Sequence, residues 1–394
     1  VDRFARVYTP IVLVFAILLA VVPPLLLGGT WSMWFYRSLV LLVISCPCAL
    51  VISTPVSIVS ALAAAARKGV LIKGGAKLEQ LAAVKCVAFD KTGTLTRGQL
   101  EVVQVVPFSG SSAAAVLQVA AALESRSEHP IGQAIVRFAR SEEVAIGNAE
   151  EFQALPGRGA EARVGGVPVL AGNRRLLEER GIRSPEIDRA LESLTQKGST
   201  AVLVAHHGCA VGVIGVADRP REAARESLDL LRAQGIRSIA MLTGDHAAVA
   251  QALADSLGID DVRADLLPAD KAAAVAALRL AHGPLAMVGD GVNDAPALAT
   301  ADVGIAMGAA GTAAALETAD VALMADELPK IAYAVRLSRA TVRNIRVNIG
   351  FSLALKAAVL LMAVAGTATL WMAVAADMGA SLLVIANALR LLKE

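Results

Sequence analysis

The sequence is poor in aromatic residues, in cysteine and in net charge, and each shortage excludes a class of protein. Only 4% of its 394 residues are aromatic, whereas 56% are hydrophobic, and the mean hydropathy is +0.59. That apolarity is too high for an ordinary soluble enzyme and indicates membrane-spanning segments. Four cysteines are too few and too scattered for a disulfide framework. A formal net charge of +2 argues against a nucleic-acid partner.

The chain begins with Val1, and no signal-peptide pattern precedes its first apolar stretch. We therefore expect it to be the C-terminal portion of a longer protein. Its length exceeds what one hydrophobic core usually supports, so we also expect several domains.

Four apolar stretches predict membrane-spanning helices. They cover residues 7–27, 35–66, 349–365 and 370–392, and prolines interrupt the second at positions 47 and 55. Lysine and arginine gather at one side of this arrangement, so the positive-inside rule makes the long central region cytoplasmic. The alanine-rich composition fits a bacterium. We therefore expect a multi-pass protein of the cell inner (plasma) membrane.

In the central region, short apolar runs alternate with alanine-rich helical patterns. Residues 84–89, 238–242 and 285–288 predict buried strands, and 247–257 predicts a helix between two of them. This alternation is typical of a parallel sheet flanked by helices. Residues 106–212 instead combine a helical stretch with Gly- and Pro-rich turns and short strands. We interpret them as an insertion between two halves of the sheet domain.

The most specific motif follows the first predicted strand, and it reads Asp90-Lys91-Thr92-Gly93-Thr94-Leu95-Thr96. An Asp at the carboxyl end of a parallel strand lies where open α/β sheets carry out their chemistry. Its carboxylate can attack a phosphoryl group and form an aspartyl-phosphate. Thr92 and the glycine-containing turn can offer a hydroxyl and backbone N–H groups to the phosphoryl oxygens. The alternative, a chance turn between strand and loop, does not explain so long a motif.

Further pieces would complete a site for phosphoryl transfer. In chain order they are Thr243-Gly244-Asp245, Lys271, Asp290, Asn293 and Asp294. The threonine hydroxyl can hold the phosphoryl group, the lysine can neutralise its charge, and the aspartates offer the oxygen ligands that suit Mg²⁺. Each piece alone also occurs in ordinary turns and on surfaces. Together they predict in-line displacement assisted by positioning and charge neutralisation.

A second group of residues lies in apolar sequence. Cys46-Pro47-Cys48 falls near the middle of the second span, where proline frees backbone carbonyls and opens room between turns. Two thiols there are soft ligands for Zn²⁺, Cd²⁺, Pb²⁺ or Cu⁺. The last two spans carry Lys356 and Asp377, and ionisable residues inside a bilayer suggest function. The alternatives are cysteines that pack as small apolar residues and a lysine that snorkels to the interface.

These two groups of residues resemble those of heavy-metal-transporting P-type ATPases, in the zinc/cadmium/lead-exporting branch. The resemblance rests on the Asp90 motif, the Cys-Pro-Cys, the lysine in the next-to-last span and the Asp-x-Gly at Asp377. It implies a multidomain membrane protein with four transmembrane α-helices. It also implies a cytoplasmic α/β haloacid-dehalogenase-like phosphorylation domain with an inserted α+β nucleotide-binding domain.

The resemblance implies domain boundaries. Residues 1–66 and 341–394 would each form a transmembrane helix pair, the first with the Cys-Pro-Cys. Residues 67–105 and 213–340 would form the two parts of the phosphorylation domain, and 106–212 the nucleotide-binding domain.

The resemblance also implies ligands. ATP would bind the inserted domain, which carries two stretches that resemble family motifs, Ser127-Glu128-His129-Pro130 and Gly157-Arg158-Gly159. The element where the chain re-enters the phosphorylation domain is resembled by Asp218-Arg219-Pro220-Arg221. The implied nucleotide-binding residues are Glu124, His129, Gly157, Gly159, Gly172 and Asn173. Mg²⁺ would be held by Asp90, Thr92 and Asp290. The transported Zn²⁺, Cd²⁺ or Pb²⁺ would be held by Cys46, Cys48 and Asp377, with Lys356 as an internal counter-ion.

One element of a complete pump does not occur in this chain, namely the Thr-Gly-Glu loop of the actuator domain. We therefore expect the missing N-terminal part of the same protein to be a partner, together with the lipid bilayer, ATP and a divalent metal ion. Two alternatives differ in function. A Cu(I)-exporting P-type ATPase is suggested by Met378 and Ser381, which match part of the copper branch's pattern. A membrane-anchored aspartyl-phosphate phosphatase would need no nucleotide motifs.

Overall fold

The computed structural model describes residues 2–27, 30–46, 48–196, 198–290, 294–308, 317–364 and 367–394. The helices are α1 Asp2–Leu27, α2 Trp31–Ser45, α3 Cys48–Arg67, α4 Gly75–Ala83, α5 Ala113–Glu124, α6 Pro130–Ser141, α7 Arg174–Glu179, α8 Pro185–Gln196, α9 Ala224–Ala233, α10 Ala247–Leu257, α11 Pro268–His282, α12 Ala295–Thr300, α13 Pro329–Val364 and α14 Leu370–Leu389. The strands are β1 Val70–Ile72, β2 Cys86–Asp90, β3 Thr96–Pro107, β4 Ala149–Leu155, β5 Gly159–Val164, β6 Val167–Gly172, β7 Thr200–His206, β8 Cys209–Pro220, β9 Ser238–Leu242, β10 Asp261–Arg263, β11 Leu285–Gly289, β12 Val303–Ala306 and β13 Val321–Leu323.

The chain forms two compact units. The helical unit comprises Val1–Ala83, Asp320–Met324 and Lys330–Glu394, and the α/β unit comprises Val84–Ala319 and Ala325–Pro329. The helical unit is therefore assembled from segments that are distant in sequence.

The helical unit differs from the sequence prediction at the second span, which forms two helices instead of one. Helix α2 ends at Ser45, and Cys46 is extended, with φ −63° and ψ 121°. The residue before a proline is disfavoured in the helical region because the proline ring crowds it, which accounts for the break. Pro55, in contrast, lies inside α3 without ending it.

Two helices of the described residues are long and apolar enough to cross a membrane, Pro329–Ala363 and Leu370–Lys393. The shorter apolar helices include Pro10–Leu26, Trp31–Ser45 and Val51–Arg67. A helix as short as α2 spans only about 22 Å at 1.5 Å per residue, less than a bilayer core of about 30 Å. The expected four transmembrane helices thus stay a prediction, since the proline break shortens the helices around it.

The α/β unit contains a parallel sheet of strands β12, β11, β2, β9 and β10, in that spatial order. All residues of β2 and β11 are buried, which is expected for strands covered on both faces. Leu242, Val275 and Met287 belong to the apolar core beside this sheet. Because its strands are parallel, their carboxyl ends lie along one edge, which places Asp90 and the residues after β9 and β11 together.

The insertion between β2 and β9 forms a second sheet. Its six antiparallel strands have the spatial order β3, β8, β7, β6, β5 and β4. Strands β3 and β8 pair from Thr96 with Pro220 to Pro107 with Gly212, so they form the two-stranded connection to the parallel sheet. Helices α5 and α6 pack on one face of the insertion through residues such as Val116 and Ile135.

Candidate active site and metal centre

At the carboxyl edge of the parallel sheet, one lysine contacts two carboxylates. Asp90 ends β2, Lys271 lies in the first turns of α11, and Asp294 immediately precedes α12. The Lys271 Nζ lies 2.5 Å from Asp90 Oδ1 and 2.7 Å from Asp294 Oδ1. Asp90 is 5% exposed and Asp294 1% exposed. The fold thus brings together three predicted site residues, two of which are 181 positions apart.

The charges of this cluster perturb one another. Burial, and then the neighbouring Asp294, raises the pKa of Asp90 to about 6, although Lys271 opposes this shift. Burial lowers the pKa of Lys271, but the facing carboxylates of Asp90 and Asp294 outweigh it, so that pKa is raised overall. Lys271 is therefore a cation at neutral pH, and most Asp90 is the carboxylate that can act as a nucleophile.

A second ion pair lies at the same edge. Asp90 pairs with the last residue of β9, so the Thr243-Gly244-Asp245 turn begins beside it. The Asp245 carboxylate lies 2.6 Å from the Nζ of Lys91, and Thr243 Oγ1 accepts a hydrogen bond of 3.1 Å from the Asp245 N–H. Thr243 is buried and Gly244 exposed. This turn is held in position by neighbouring loops and presents small polar groups beside the nucleophile.

The oxygen atoms at this edge fit a magnesium ion. Asp294 Oδ2 is buried and has no hydrogen-bond partner among the described residues. The negative charge of Asp290 contributes to the raised pKa of Asp90, so these carboxylates face a common region. Thr92 is exposed in the turn after Asp90. Carboxylate oxygens suit Mg²⁺, whereas the predicted Asn293 lies outside the described residues.

A cavity of about 300 Å³ lies in the insertion. Its lining includes every residue that the sequence suggested for nucleotide binding, namely Glu124, His129, Gly157, Gly159, Gly172 and Asn173. The cavity is thus formed where the α5–α6 connection faces the β4–β5 turn and the end of β6.

Two glycines bring the cavity's strands close together. Gly159 pairs with Gly172 in the β5–β6 register. A Cβ at Gly159 would lie 2.1 Å from the Ala171 carbonyl oxygen, and the φ angle of Gly159 is +147°. The Asn173 Nδ2 donates to the Gly157 carbonyl over 2.9 Å. These residues therefore have a structural role in shaping the cavity, whatever it binds.

The other side of the cavity carries a buried carboxyl and an imidazole. Burial raises the pKa of Glu124, although Ser127 and His129 oppose the shift. His129 caps α6, with its Nδ1 accepting from the Ile131 N–H over 3.2 Å. This bond fixes the ring so that the other nitrogen is directed away from the helix end.

A larger cleft of about 840 Å³ lies next to the cavity. Its lining includes Lys91, Thr92 and Asp245 from the sheet edge, and Thr200 from β7. Thr200 also lines the smaller cavity. The two spaces therefore adjoin and lead from His129 towards the turn that follows Asp90.

In the helical unit, two sulfurs and a carboxylate form a cluster. The Sγ atoms of Cys46 and Cys48 and a carboxylate oxygen of Asp377 lie within 4.8 Å of one another. The two cysteines are joined as a disulfide in this structure, and both thiolates would become available as ligands on reduction. Two thiolates and a carboxylate suit a borderline divalent ion such as Zn²⁺.

Lys356 of α13 adjoins this cluster. Its Nζ lies 3.3 Å from Asp377 Oδ1 and donates to the carbonyls of Ile44, over 3.3 Å, and of Cys46. These carbonyls lie at the C-terminal end of α2, where the extended Cys46 ends the helix and the last carbonyls have no partner within the helix. The ammonium thus occupies the space beside the predicted ligands and compensates the Asp377 charge.

A hydrogen-bonded group in the helical unit has no role in the sequence prediction. Asn348 Nδ2 donates to Ser53 Oγ over 3.0 Å, Asn387 Nδ2 donates to Asn348 Oδ1 over 2.8 Å, and Ser57 Oγ donates to Asn344 Oδ1 over 3.2 Å. Polar residues inside apolar spans were the available signal, because such groups need partners on neighbouring helices. The network connects α3, α13 and α14, the helices that carry Cys48, Lys356 and Asp377.

Comparison with known proteins agrees with this geometry. Residues 84–302 match the family described as haloacid dehalogenase-like hydrolases, so the chain belongs to that hydrolase class. This confirms the expected α/β phosphorylation-domain fold.

Individual relatives match the whole chain. The zinc/cadmium/lead-transporting P-type ATPase of Escherichia coli (strain K12) is 48% identical over 397 residues, which cover 100% of this chain and 53% of the relative. The probable cadmium-transporting ATPase of Staphylococcus aureus (strain MRSA252) is 45% identical over 398 residues, with 100% and 55% covered. A crystal structure of a zinc-transporting PIB-type ATPase in the E2.Pi state matches with a TM-score of 0.90 and 48% identity, covering 99% of this chain and 63% of that chain.

Over its whole length the chain is therefore similar to heavy-metal-transporting P-type ATPases of the zinc/cadmium/lead branch, the proteins whose motifs it resembles. It spans about half the length of the curated relatives it matches.

Proposed function

We propose that this chain is the phosphorylated and metal-binding part of a pump that exports Zn²⁺, Cd²⁺ or Pb²⁺ at the expense of ATP. The observation that carries the proposal is the presence of two chemically different sites in one chain. The Asp90–Lys271–Asp294 cluster suits phosphoryl transfer, and the Cys46–Cys48–Asp377 cluster suits a thiophilic divalent ion.

For the first site, ATP binds with its base in the cavity beside His129 and its phosphates extended through the cleft towards Asp90. The Asp90 carboxylate attacks the γ-phosphorus, the bond to the β-phosphate oxygen breaks, and ADP leaves. Lys271 and the Thr243 turn hold the transferred group. Bound Mg²⁺, held by Asp90, Thr92 and Asp290, would neutralise phosphate charge.

For the second site, the reduced Cys46 and Cys48 thiolates and Asp377 bind the transported ion. Lys356 pairs with Asp377 once the ion has left, which hinders its return. Hydrolysis of the aspartyl-phosphate requires the actuator loop, which the remaining part of the pump would supply. The four-helix membrane arrangement, the predicted domain boundaries and the location in a bacterial plasma membrane, with the α/β unit cytoplasmic, belong to this proposal.

The test is phosphorylation from radiolabelled ATP in the full-length pump, with and without each metal. Asp90→Asn should form no phosphoenzyme. Cys46→Ala and Asp377→Ala should lose stimulation by Zn²⁺ and Cd²⁺, because each removes a ligand. Cys209→Ala is the matched control, since that cysteine is exposed in the α/β unit. Stimulation by Cu⁺ that survives Asp377→Ala would instead assign the chain to copper export.

A further inference from the structure

One arginine contacts three consecutive carbonyls of the turn that follows Asp90. Arg221 directly follows β8, and its Nη2 donates to the Gly93 carbonyl over 2.8 Å and its Nε to the Thr94 carbonyl over 2.9 Å. Its backbone N–H donates to the Leu95 carbonyl over 2.9 Å. Hydrogen bonds from a charged donor are among the stronger ones, so this residue constrains most of the turn.

The guanidinium is itself held in place. Arg221 Nη1 donates to the Asp326 carbonyl, and Nη2 lies 3.3 Å from Asp326 Oδ2. The Arg221 side chain is 17% exposed. Asp326 in turn lies against Gly308, where a Cβ would come within 2.6 Å of Asp326 Oδ1. In this one orientation, the guanidinium donates to the carbonyls of the turn and also pairs with Asp326.

This arrangement selects one conformation of the turn. Thr92 (φ −78°, ψ 126°) and Gly93 (φ 75°, ψ −11°) have the dihedral angles of a type II turn. In a planar trans peptide the carbonyl and the N–H point in opposite directions. With the Gly93 and Thr94 carbonyls directed at the guanidinium, their peptide planes are fixed, and the preceding residue Thr92 is held where it lines the cleft.

We infer that Arg221 is a positioning residue for phosphoryl transfer to Asp90, because it holds the turn that places Thr92 directly after Asp90 at the cleft. The inference rests on the proposed function. It also connects the turn to the inserted sheet: β3 leaves the turn at Thr96, β8 returns opposite it at Pro220, and Thr96 Oγ1 donates to Asp218 Oδ2 over 2.5 Å. Arg221 thus links two parts of the chain, namely β8, which returns from the inserted sheet, and the turn that follows Asp90.

The test compares Arg221→Ala, Arg221→Lys and Asp326→Asn in the full-length pump. The rate of phosphoenzyme formation at saturating ATP should fall at least about tenfold in Arg221→Ala, because the turn that carries Thr92 loses its fixed position beside the nucleophile. ATP affinity should stay within about twofold of wild type, because Arg221 is not among the residues that line the nucleotide cavity. Arg221→Lys should recover only part of the rate, since an ammonium lacks the planar fork that reaches two carbonyls. Asp326→Asn should show a smaller loss.

The matched control is Arg225→Ala. Arg225 also donates to a backbone carbonyl, that of Ser256 over 2.9 Å, but it lies on α9 away from the turn. Wild-type ATP affinity in a variant shows that the variant has folded. If Arg221→Ala does not bind ATP, the phosphorylation rates of Arg221→Lys and Asp326→Asn test the inference in its place. Normal phosphorylation rates in those variants, or equal losses in Arg225→Ala, would overturn the inference. Absence of phosphoenzyme in the wild-type pump would overturn the proposed function instead.

Discussion

At the scale of single residues, the active site depends on charges that the fold has moved out of water. Lys271 is the cation that compensates Asp90 and Asp294 directly. Removing one partner from a buried group of charges is strongly destabilising and leaves the others uncompensated. Burial also perturbs the carboxyl group of Glu124, which lines the cavity in the insertion.

The first residue-scale prediction concerns Lys271. Lys271→Ala should reduce the rate of phosphorylation by about 100-fold or more, because a cation facing the transferred group is lost. Lys271→Arg should retain more activity, since it keeps the charge. The measurement is phosphoenzyme formation from ATP in the full-length pump. A Lys271→Ala rate within a few-fold of wild type would mean that this ion pair serves only stability.

The second residue-scale prediction concerns pH. Burial raises the folded-state pKa of Glu124 above its ordinary value of 4.5, so between these values the folded protein binds more protons than the unfolded chain. Stability therefore decreases as pH rises through that window, and the ionised carboxylate remains unfavourable above it. Glu124→Gln should raise the melting temperature at pH 7 by roughly 2–4 °C, equivalent to about 1 kcal/mol. The gain should disappear below pH ~4.5.

Calorimetry of the two proteins across this pH range measures that difference. Glu128→Gln is the matched control, because Glu128 is exposed in the same connection and should show no such trend. A gain that is independent of pH would contradict the electrostatic explanation.

At the scale of elements, the β5–β6 hairpin shows how close strand packing creates the cavity proposed to bind nucleotide. Gly159→Ala should destabilise the insertion by about 2–4 kcal/mol, because overpacking is combined with a strained backbone. It should also weaken ATP binding at least tenfold, a loss of about 1.4 kcal/mol or more. The cause is that a Cβ would meet the Ala171 carbonyl oxygen at 2.1 Å.

Gly165→Ala at the other end of the same hairpin is the control for this prediction. Gly165 also has a positive φ, +56°, but a Cβ there meets nothing within 4 Å. It should therefore cost only about 1–2 kcal/mol of left-handed strain and leave ATP affinity unchanged. Thermal unfolding and nucleotide titration of the two variants distinguish them. Equal effects on ATP binding would show that backbone strain, not strand separation, matters.

At the scale of the whole molecule, the proposed metal centre and the proposed phosphorylation site lie in separate compact units. Oxidation of Cys46 and Cys48 to the disulfide seen here would remove both proposed thiolate ligands. We predict that the oxidised pump binds Zn²⁺ at least 100-fold more weakly than the reduced pump, equivalent to about 2.7 kcal/mol or more. ATP affinity should not change.

The measurement is equilibrium dialysis of Zn²⁺ and a nucleotide titration on the same preparation, before and after reduction. Cys46→Ser should show the weakened Zn²⁺ binding in both states, whereas Cys209→Ser should behave as wild type. Unchanged Zn²⁺ affinity on oxidation would exclude the two sulfurs as ligands.

The sequence by itself determined the chemistry of the two sites, because the reactive groups lie in short contiguous motifs. The carboxylate of Asp90 at a strand end, the Cys-Pro-Cys in an apolar run and the parallel-sheet alternation all depend on neighbours in the chain. The haloacid dehalogenase-like α/β fold was predicted from these motifs and is confirmed, and the predicted resemblance to heavy-metal-transporting P-type ATPases extends over the whole chain. The roles of the individual site residues, the domain boundaries and the four spans remain predictions.

Tertiary structure alone decided which distant groups meet. The 2.5 Å contact between Lys271 and Asp90 follows from the alignment of the parallel strands. The hydrogen bonds from Arg221 to the turn after Asp90 follow from the return of β8 to that turn. The position of Lys356 beside the end of α2 likewise depends on packing between helices. Local motifs carry no information on such contacts, because long-range pairing is determined by the balance of burial and chain entropy over the whole fold.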